Sequence, residues 1–339
     1  MSEPERIAGM DGLRGAAVLS VVLYHADVFP LGRTSVELFF GISGLLITAI
    51  LLRAKAAEST LWAYLKPFYA RRALRILPLA WVIAFMVAAT TGHWRGTLPH
   101  AAYFSNALFD RWSPRELGHY WTLAVEEQFY LLWPFVVFAL RPRQLLAVCA
   151  AIPFVETAVR AALIYFQPEF FSAHPLGRPT LLHFEPIAAG AALALAMHSG
   201  WPLVSVRIER TLLVLAAGSW AVLDYTVTKL GRLAGTQYIL ETFLLTICVG
   251  AILNMILRTK PRWLEWKPLV FVGTISYGVY LIHGAITFPV RQAIQNPALH
   301  LLVLAGLSIT AAWLSWKYFE SPILALKRHF PMPRRAKPA

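Results

Sequence analysis

Ten stretches of this chain, at about residues 10–29, 36–53, 74–91, 120–140, 144–165, 182–198, 210–228, 238–257, 269–290 and 299–318, run apolar for roughly 20 residues each. A helix needs that length to cross a hydrocarbon core about 30 Å thick. In such a medium every main-chain N–H and C=O must be satisfied within its own segment, which leaves the α-helix as the spanning element for runs of this kind. The pattern therefore predicts an all-α, polytopic membrane protein of about ten transmembrane helices. Composition closes the soluble alternatives. At 58% hydrophobic and 14% charged residues, against about 25% charged in a soluble domain, the chain lacks the polar surface to coat itself in water. Disorder, a collagen-like repeat and a disulfide scaffold are excluded on the same grounds. Proline- and glycine-bearing separators such as FPLGR, QPEFF and NPAL divide the stretches. The division expected is a membrane domain over 1–320 and a basic tail over 321–339. The first stretch holds Asp11, Arg14 and His25, so it does not read as a cleavable signal.

Charge supports a topology. Lys and Arg number 31 against 18 acids, a formal +13. On a soluble protein this excess would favour nucleic acid; here it reads as the positive-inside bias of cytoplasmic segments, with no nucleic-acid partner. With the N-terminus inside, Arg53, Lys55, Arg71, Arg72, Arg75, Arg141, Arg143, Arg258 and Lys260 fall on inner segments, joined by Lys327, Arg328, Arg334 and Arg335 of the tail. The outer segments hold fewer cations, among them Arg95, Arg111, Arg115, Arg178, Arg232 and Arg291. Both termini are then expected in the cytoplasm of a cell whose plasma (inner) membrane holds the protein. Cys149 and Cys248 lie in apolar runs without a CxxC partner, so they read as packing residues and no metal site is expected.

Ionisable residues inside a span cost at least about 2.5–3.5 kcal/mol each, and so mark function or a specific partner. Arg14 and His25, eleven residues apart, point to one face of the first helix about 16 Å apart. Glu126 and Glu127 are adjacent and diverge by about 100°, and Thr122, Glu126 and Tyr130 share a face. Ser276, Tyr280 and His283 form a polar stripe in GTISYGVYLIHG. On the expected topology His25, Glu126 and His283 meet at one depth in the outer half. In the inner half Arg72 and Arg75 share a helix face near the depth of Arg14, a set suited to gripping phosphates. The bland counterparts are helix-packing polar residues, lipid-headgroup contacts for the arginines, and a structural pairing of one of them with Glu320.

Motifs along most of the chain resemble, in order, those of the acyltransferase 3 family of membrane O-acyltransferases. MDGLRGAAVLSVVLYH is similar to its opening helix, SVELFFGISGLLIT to its second-helix signature, FYARRALRILP to its arginine motif, and WTLAVEEQFYLLWP to its WSLxVExQFY signature. SYGVYLIH and FESP are similar to its late signatures. The resemblance implies His25 and Glu126 as catalytic residues. Arg14, Arg72 and Arg75 are the matching cofactor-side residues, with acyl-CoA, in the first place acetyl-CoA, as donor. Glu37, Trp121, Tyr280 and His283 fall to the substrate side, facing a hydroxylated glycan or related acceptor. Two departures stand out: Glu37 replaces an aspartate, and HFEPIAAG, with His183 and Glu185, replaces an Arg-x-Asp pattern. The expected chemistry is acyl transfer to a hydroxyl with His25 as general base or as acyl carrier. A transporter of anionic lipids or glycoconjugates is the alternative from another class, although no inverted repeat is evident.

Overall fold

The computed structural model describes residues 7–28, 32–57, 60–106, 113–166, 183–230 and 234–333. Within them the chain is helical, with no β-strand. The helices are α1 (Met10–His25), α2 (Gly32–Lys55), α3 (Leu61–Thr91), α4 (Trp94–Ala101), α5 (Tyr120–Ala139), α6 (Pro142–Phe166), α7 (Glu185–Ser199), α8 (Val206–Leu230), α9 (Ala234–Thr259), α10 (Lys267–Thr274), α11 (Ser276–Ala293), α12 (Pro297–Ser315) and α13 (Ser321–Ala325). Over most of its described residues each apolar stretch expected from the sequence is helix. Among the described residues five helices are long and apolar enough to cross a membrane: Thr34–Lys55, Leu61–Thr91, Pro142–Phe166, Ile239–Thr259 and Pro297–His329. The pair α10 and α11 is bent by 69° at its break and counts as a sixth only if the two form one span. The remaining stretches are shorter or more polar. α1 has 16 residues and α7 has 15, below the roughly 20 that a perpendicular span needs, while α5 carries Glu126, Glu127 and Gln128 in its middle. The separator QPEFF and the cations Arg111, Arg178, Arg232, Arg334 and Arg335 lie outside the described residues.

The chain divides into two compact units, Met1–Val36 with Arg53–Ala124 and Pro261–Ala339, and Glu37–Leu52 with Val125–Lys260. In the first unit α1 lies against α10 and the 3-10 turn Arg262–Glu265. The approach is backbone to backbone. A Cβ on Gly12 would collide with the carbonyl of Leu264, one on Gly15 with that of Leu269, and one on Gly273 with that of Asp11. Small residues permit helices in lipid to come this close, where dispersion and polar contacts must replace the hydrophobic drive. Gly9, at φ 81°, caps α1, and its N–H donates to the Glu265 carboxylate, meeting one of the four donors that a helix start leaves open. Along the same unit the last helix does not stop at its span. The 19 residues of α12 already cover about 28 Å. The helical run then continues through a π turn at Trp316–Glu320, α13 and a 3-10 turn at Leu326–His329. The residues expected to form a tail thus begin as helix.

In the second unit α2 crosses α7 through glycines. A Cβ on Gly44 would strike the Ile187 carbonyl, and one on Gly190 the Gly41 carbonyl. This is the use of the GISG sequence. The unit also holds the most enclosed charges. Arg160 of α6 is fully buried; its guanidinium donates to Glu185 Oε1 at 2.7 Å and to Glu156 Oε2 at 3.2 Å. Glu156 in turn accepts the main-chain N–H groups of Phe184 and Glu185, at 2.7 and 3.2 Å. A carboxylate from α6 therefore caps the start of α7, where the helix dipole and open N–H groups favour negative charge. Arg160, placed within a span by its sequence position, has a structural partner set. Arg160→Leu leaves two buried carboxylates without their cation. It is expected to destabilise the protein by about 3–5 kcal/mol, read as a lowered midpoint of thermal unfolding in detergent.

Candidate active site

α1 ends at His25, whose Nδ1 lies 2.9 Å from the Val21 carbonyl one turn back. A carbonyl can only accept, so Nδ1 carries the proton and Nε2 keeps its lone pair. His283 on α11 repeats the device, with Nδ1 3.2 Å from the Val279 carbonyl. The two rings meet edge to face with centroids 5.0 Å apart. The stripe Ser276, Tyr280 and His283 and the helix face ending in His25 thus come together in the first unit.

A third imidazole completes the group. His119, one residue before α5, has its ring centroid 5.5 Å from that of His283 and 5.4 Å from that of Tyr280. Its ring hydrogen-bonds the main chain of Leu281. Nε2 atoms of both His119 and His283 are buried without a hydrogen-bond partner, which makes them acceptors in want of a donor. Tyr280 is held by Thr122, their hydroxyl oxygens 2.8 Å apart, and donates to the His119 carbonyl at 3.3 Å. The space for His119 comes from Gly284, where a Cβ would lie inside the imidazole. No periodic signal marks His119, because it precedes its helix; the glycine directly after His283 is the trace it leaves in the sequence. At the rim, Arg291 donates to the His25 carbonyl at 2.9 Å and pairs with Asp27. Trp121, in the first turn of α5, belongs to the same unit and is half-buried.

A second cluster of the first unit gathers cations. Arg75 pairs with Glu320 at 3.0 Å, and its guanidinium lies 5.3 Å from the ring centroids of both Tyr277 and Trp316. The π turn brings Trp316 and Glu320 to the same guanidinium, a use to which such turns are often put. Arg14 and Arg72 lie within electrostatic range of Arg75. Arg71 donates to the carbonyls of Lys327 and Phe330 at 3.1 and 3.3 Å. Lys327, half-buried, was not marked by the sequence; its proximity to Arg71, Arg72 and Arg75 joins residues about 250 positions apart. α1 carries one member of each cluster, His25 at its end and Arg14 eleven residues earlier, about 16 Å along the axis.

The remaining expected residues lie in the second unit. Glu126 accepts from Ser43 Oγ at 2.5 Å, and Ser43 accepts from Tyr130 at 3.0 Å, a hydroxyl chain that fixes the carboxylate. Glu37 is buried with His183, its Oε1 3.7 Å from Nδ1. The two positions where this chain departs from the expected motifs thus face each other. Among the described residues no three His, Cys, Asp or Glu side chains are placed to share a metal ion.

A family model described as an acyltransferase domain matches residues 7–317. The chain belongs to the acyltransferase 3 family. It is 30% identical to YrhL of Bacillus subtilis over 363 residues, covering 94% of this chain and 55% of that protein. It is 29% identical to the peptidoglycan O-acetyltransferase OatA of Listeria monocytogenes, over 94% of this chain and 56% of that one. To the O-acetyltransferase OatA of Staphylococcus aureus it is 28% identical, over 95% and 58%. The chain spans a little over half the length of these relatives. No solved structure matches it. As a family member with several membrane-length helices, it is a multi-pass membrane protein.

Gly284 offers a direct check of the imidazole group. Gly284→Ala is expected to cost about 1–3 kcal/mol through overpacking against His119. His119→Ala in the same chain should recover most of that loss, a coupling read from thermal midpoints of the two single variants and the double variant.

Proposed function

We propose that this protein is a membrane O-acyltransferase that moves an acyl group, acetyl in the first place, from acyl-CoA to a hydroxyl of a carbohydrate acceptor. The observation that carries this reading is the pair of clusters joined by α1: a basic imidazole nitrogen at His25 and a group of guanidinium side chains around Arg14, Arg72 and Arg75. Guanidinium groups match phosphate oxygens in charge and geometry. The pantetheine arm of CoA extends roughly 15–20 Å, comparable with the rise between Arg14 and His25. The donor phosphates then rest among the arginines on the cytoplasmic side, together with both termini, and the thioester reaches the histidines.

His25 Nε2 removes the proton of the acceptor hydroxyl as its oxygen attacks the thioester carbon. The C–S bond breaks, and the thiolate takes the proton back from the imidazolium, leaving an O-acyl ester and free CoA. The ring of His283 meets that of His25, and Tyr280 and His119 pack against His283 in turn. Glu126 is the carboxylate assigned to the reaction, and its bond from Ser43 fixes its orientation. Glu37, Trp121, Tyr280 and His283 are the residues assigned to the acceptor. The names of the relatives point to an envelope glycan, and peptidoglycan is the first acceptor to test. Activities borne by the rest of those longer proteins are not assigned to this chain.

Purified protein in nanodiscs is assayed with radiolabelled acetyl-CoA and peptidoglycan fragments. Transfer is expected, and His25→Ala should lower kcat about 100-fold or more. Arg72→Ala should raise the KM for acetyl-CoA by about tenfold with the acceptor KM little changed. A His25→Ala protein with near-normal transfer overturns the assignment. Uptake of label into vesicles without turnover would instead make the protein a transporter.

A further inference from the structure

One residue of the imidazole group has no part in the transfer step. His119 is fixed at both ends. Its carbonyl accepts from the hydroxyls of Thr122 and Tyr280, at 3.0 and 3.3 Å, and its ring rests on the main chain of Leu281. Its Nε2 has no hydrogen-bond partner, so the bond to Leu281 runs through Nδ1. The main-chain N–H of Leu281 lies well inside α11 and is used within the helix. The carbonyl is then the acceptor and Nδ1 the donor. Gly284 lets this edge of the ring lie against α11, since a Cβ there would meet Nδ1 and Cε1 first. His283 is built alike: it is fully buried, its Nδ1 faces the Val279 carbonyl at 3.2 Å, and its Nε2 has no partner. His25, with Nδ1 2.9 Å from the Val21 carbonyl, is the third of the kind. Each ring N–H faces a carbonyl, so the rings do not hand a proton to one another. What they share is an Nε2 lone pair.

Buried lone pairs without a donor call for a ligand rich in O–H groups. The ring centroid of His283 lies 5.0 Å from that of His25 and 5.5 Å from that of His119. With hydrogen bonds of about 2.8 Å, hydroxyls of one small polyol reach neighbouring rings at that spacing. A carboxylate or a fully ionised phosphate only accepts, and finds no donor on these nitrogens. We propose that His119 is a specificity-determining residue of the acceptor site. Its Nε2, together with that of His283, accepts from hydroxyls beside the one that reacts at His25. The preferred acceptor is therefore a polyol with at least one further hydroxyl next to the acylated one. The proposal deepens the acyl-transfer reading above and rests on it for the role of His25. His119 breaks no bond of the substrate and acts through binding. An acceptor without the second hydroxyl leaves a buried nitrogen unmatched, and a site built to hydrogen-bond a hydroxyl rejects the analogue that lacks it.

The test uses the full chain in nanodiscs, with acetyl-CoA as donor and the methyl glycoside of N-acetylglucosamine as acceptor, compared with its monodeoxy analogues. For the analogue that lacks the hydroxyl next to the acylated one, the wild type should show a KM raised about tenfold or more. His119→Phe keeps a ring and loses the lone pair. It should raise the KM of the intact acceptor about tenfold and leave the KM values of the deoxy analogue and of acetyl-CoA little changed, so that the preference disappears. His119→Gln, with an amide oxygen in reach of the Nε2 position, should restore most of the preference. Calorimetry measures binding of the same sugars without donor, and thermal midpoints establish that each variant is folded. A wild type indifferent to the deoxy analogues, or a His119→Phe protein with its preference intact, overturns the proposal, while transfer that depends on His25 upholds the reading it rests on. If no transfer occurs but the sugars bind with a preference that His119→Phe erases, the hydroxyl site stands and the acyl-transfer reading fails. Neither transfer nor binding overturns both.

Discussion

The backbone contact between α1 and the segment Leu264–Gly273 underlies the arrangement of the two clusters in the first unit. Gly12, Gly15 and Gly273 remove three side chains at one crossing, so that carbonyls of one segment occupy the space a Cβ of the other would take. A helix held at that distance has little freedom to roll about its axis. The face bearing Arg14 and His25 is thereby committed, one residue to the cation cluster and the other to the imidazoles of α11. A helix of 16 residues gains little from lipid burial alone; its place comes from this contact and from the carboxylate of Glu265 at its start.

Both units answer the cost of charge in an apolar medium, in different ways. In the second unit the answer is closure. Arg160 is shared by Glu156 and Glu185, and Glu156 also accepts the main-chain N–H groups at the start of α7. In the first unit the answer is incomplete. The Nε2 atoms of His119 and His283 are buried without a hydrogen-bond partner, and Arg75 is met by Glu320 and two aromatic rings. A buried polar group left open is a place where a ligand can supply the missing partner.

Parts of this were legible in the amino-acid order. The apolar stretches are helical over most of their described residues, and the stripe ending in His283 met the face of His25, because helical periodicity fixes which residues share a side. Glu320 beside Arg75 was likewise anticipated as a pairing of opposite charges. The sequence did not reveal that α1 and α7 are short, that the stretch at 269–290 breaks at Ile275, or that His119 and Lys327 belong to the clusters. His119 lies outside any periodic segment, and Lys327 reads as one cation of a basic tail.

What the order of residues alone determined is the medium and the elements: a chain with this little charge in runs of this length must form helices in lipid, since no other local structure satisfies its main chain there. Tertiary structure decided which charges neutralise one another and which stay open. Pairings such as Arg71 with the Lys327 carbonyl or His119 with His283 join positions far apart in the chain. They depend on how closely helices approach, and that distance is set by glycines at the crossings rather than by the polar residues themselves.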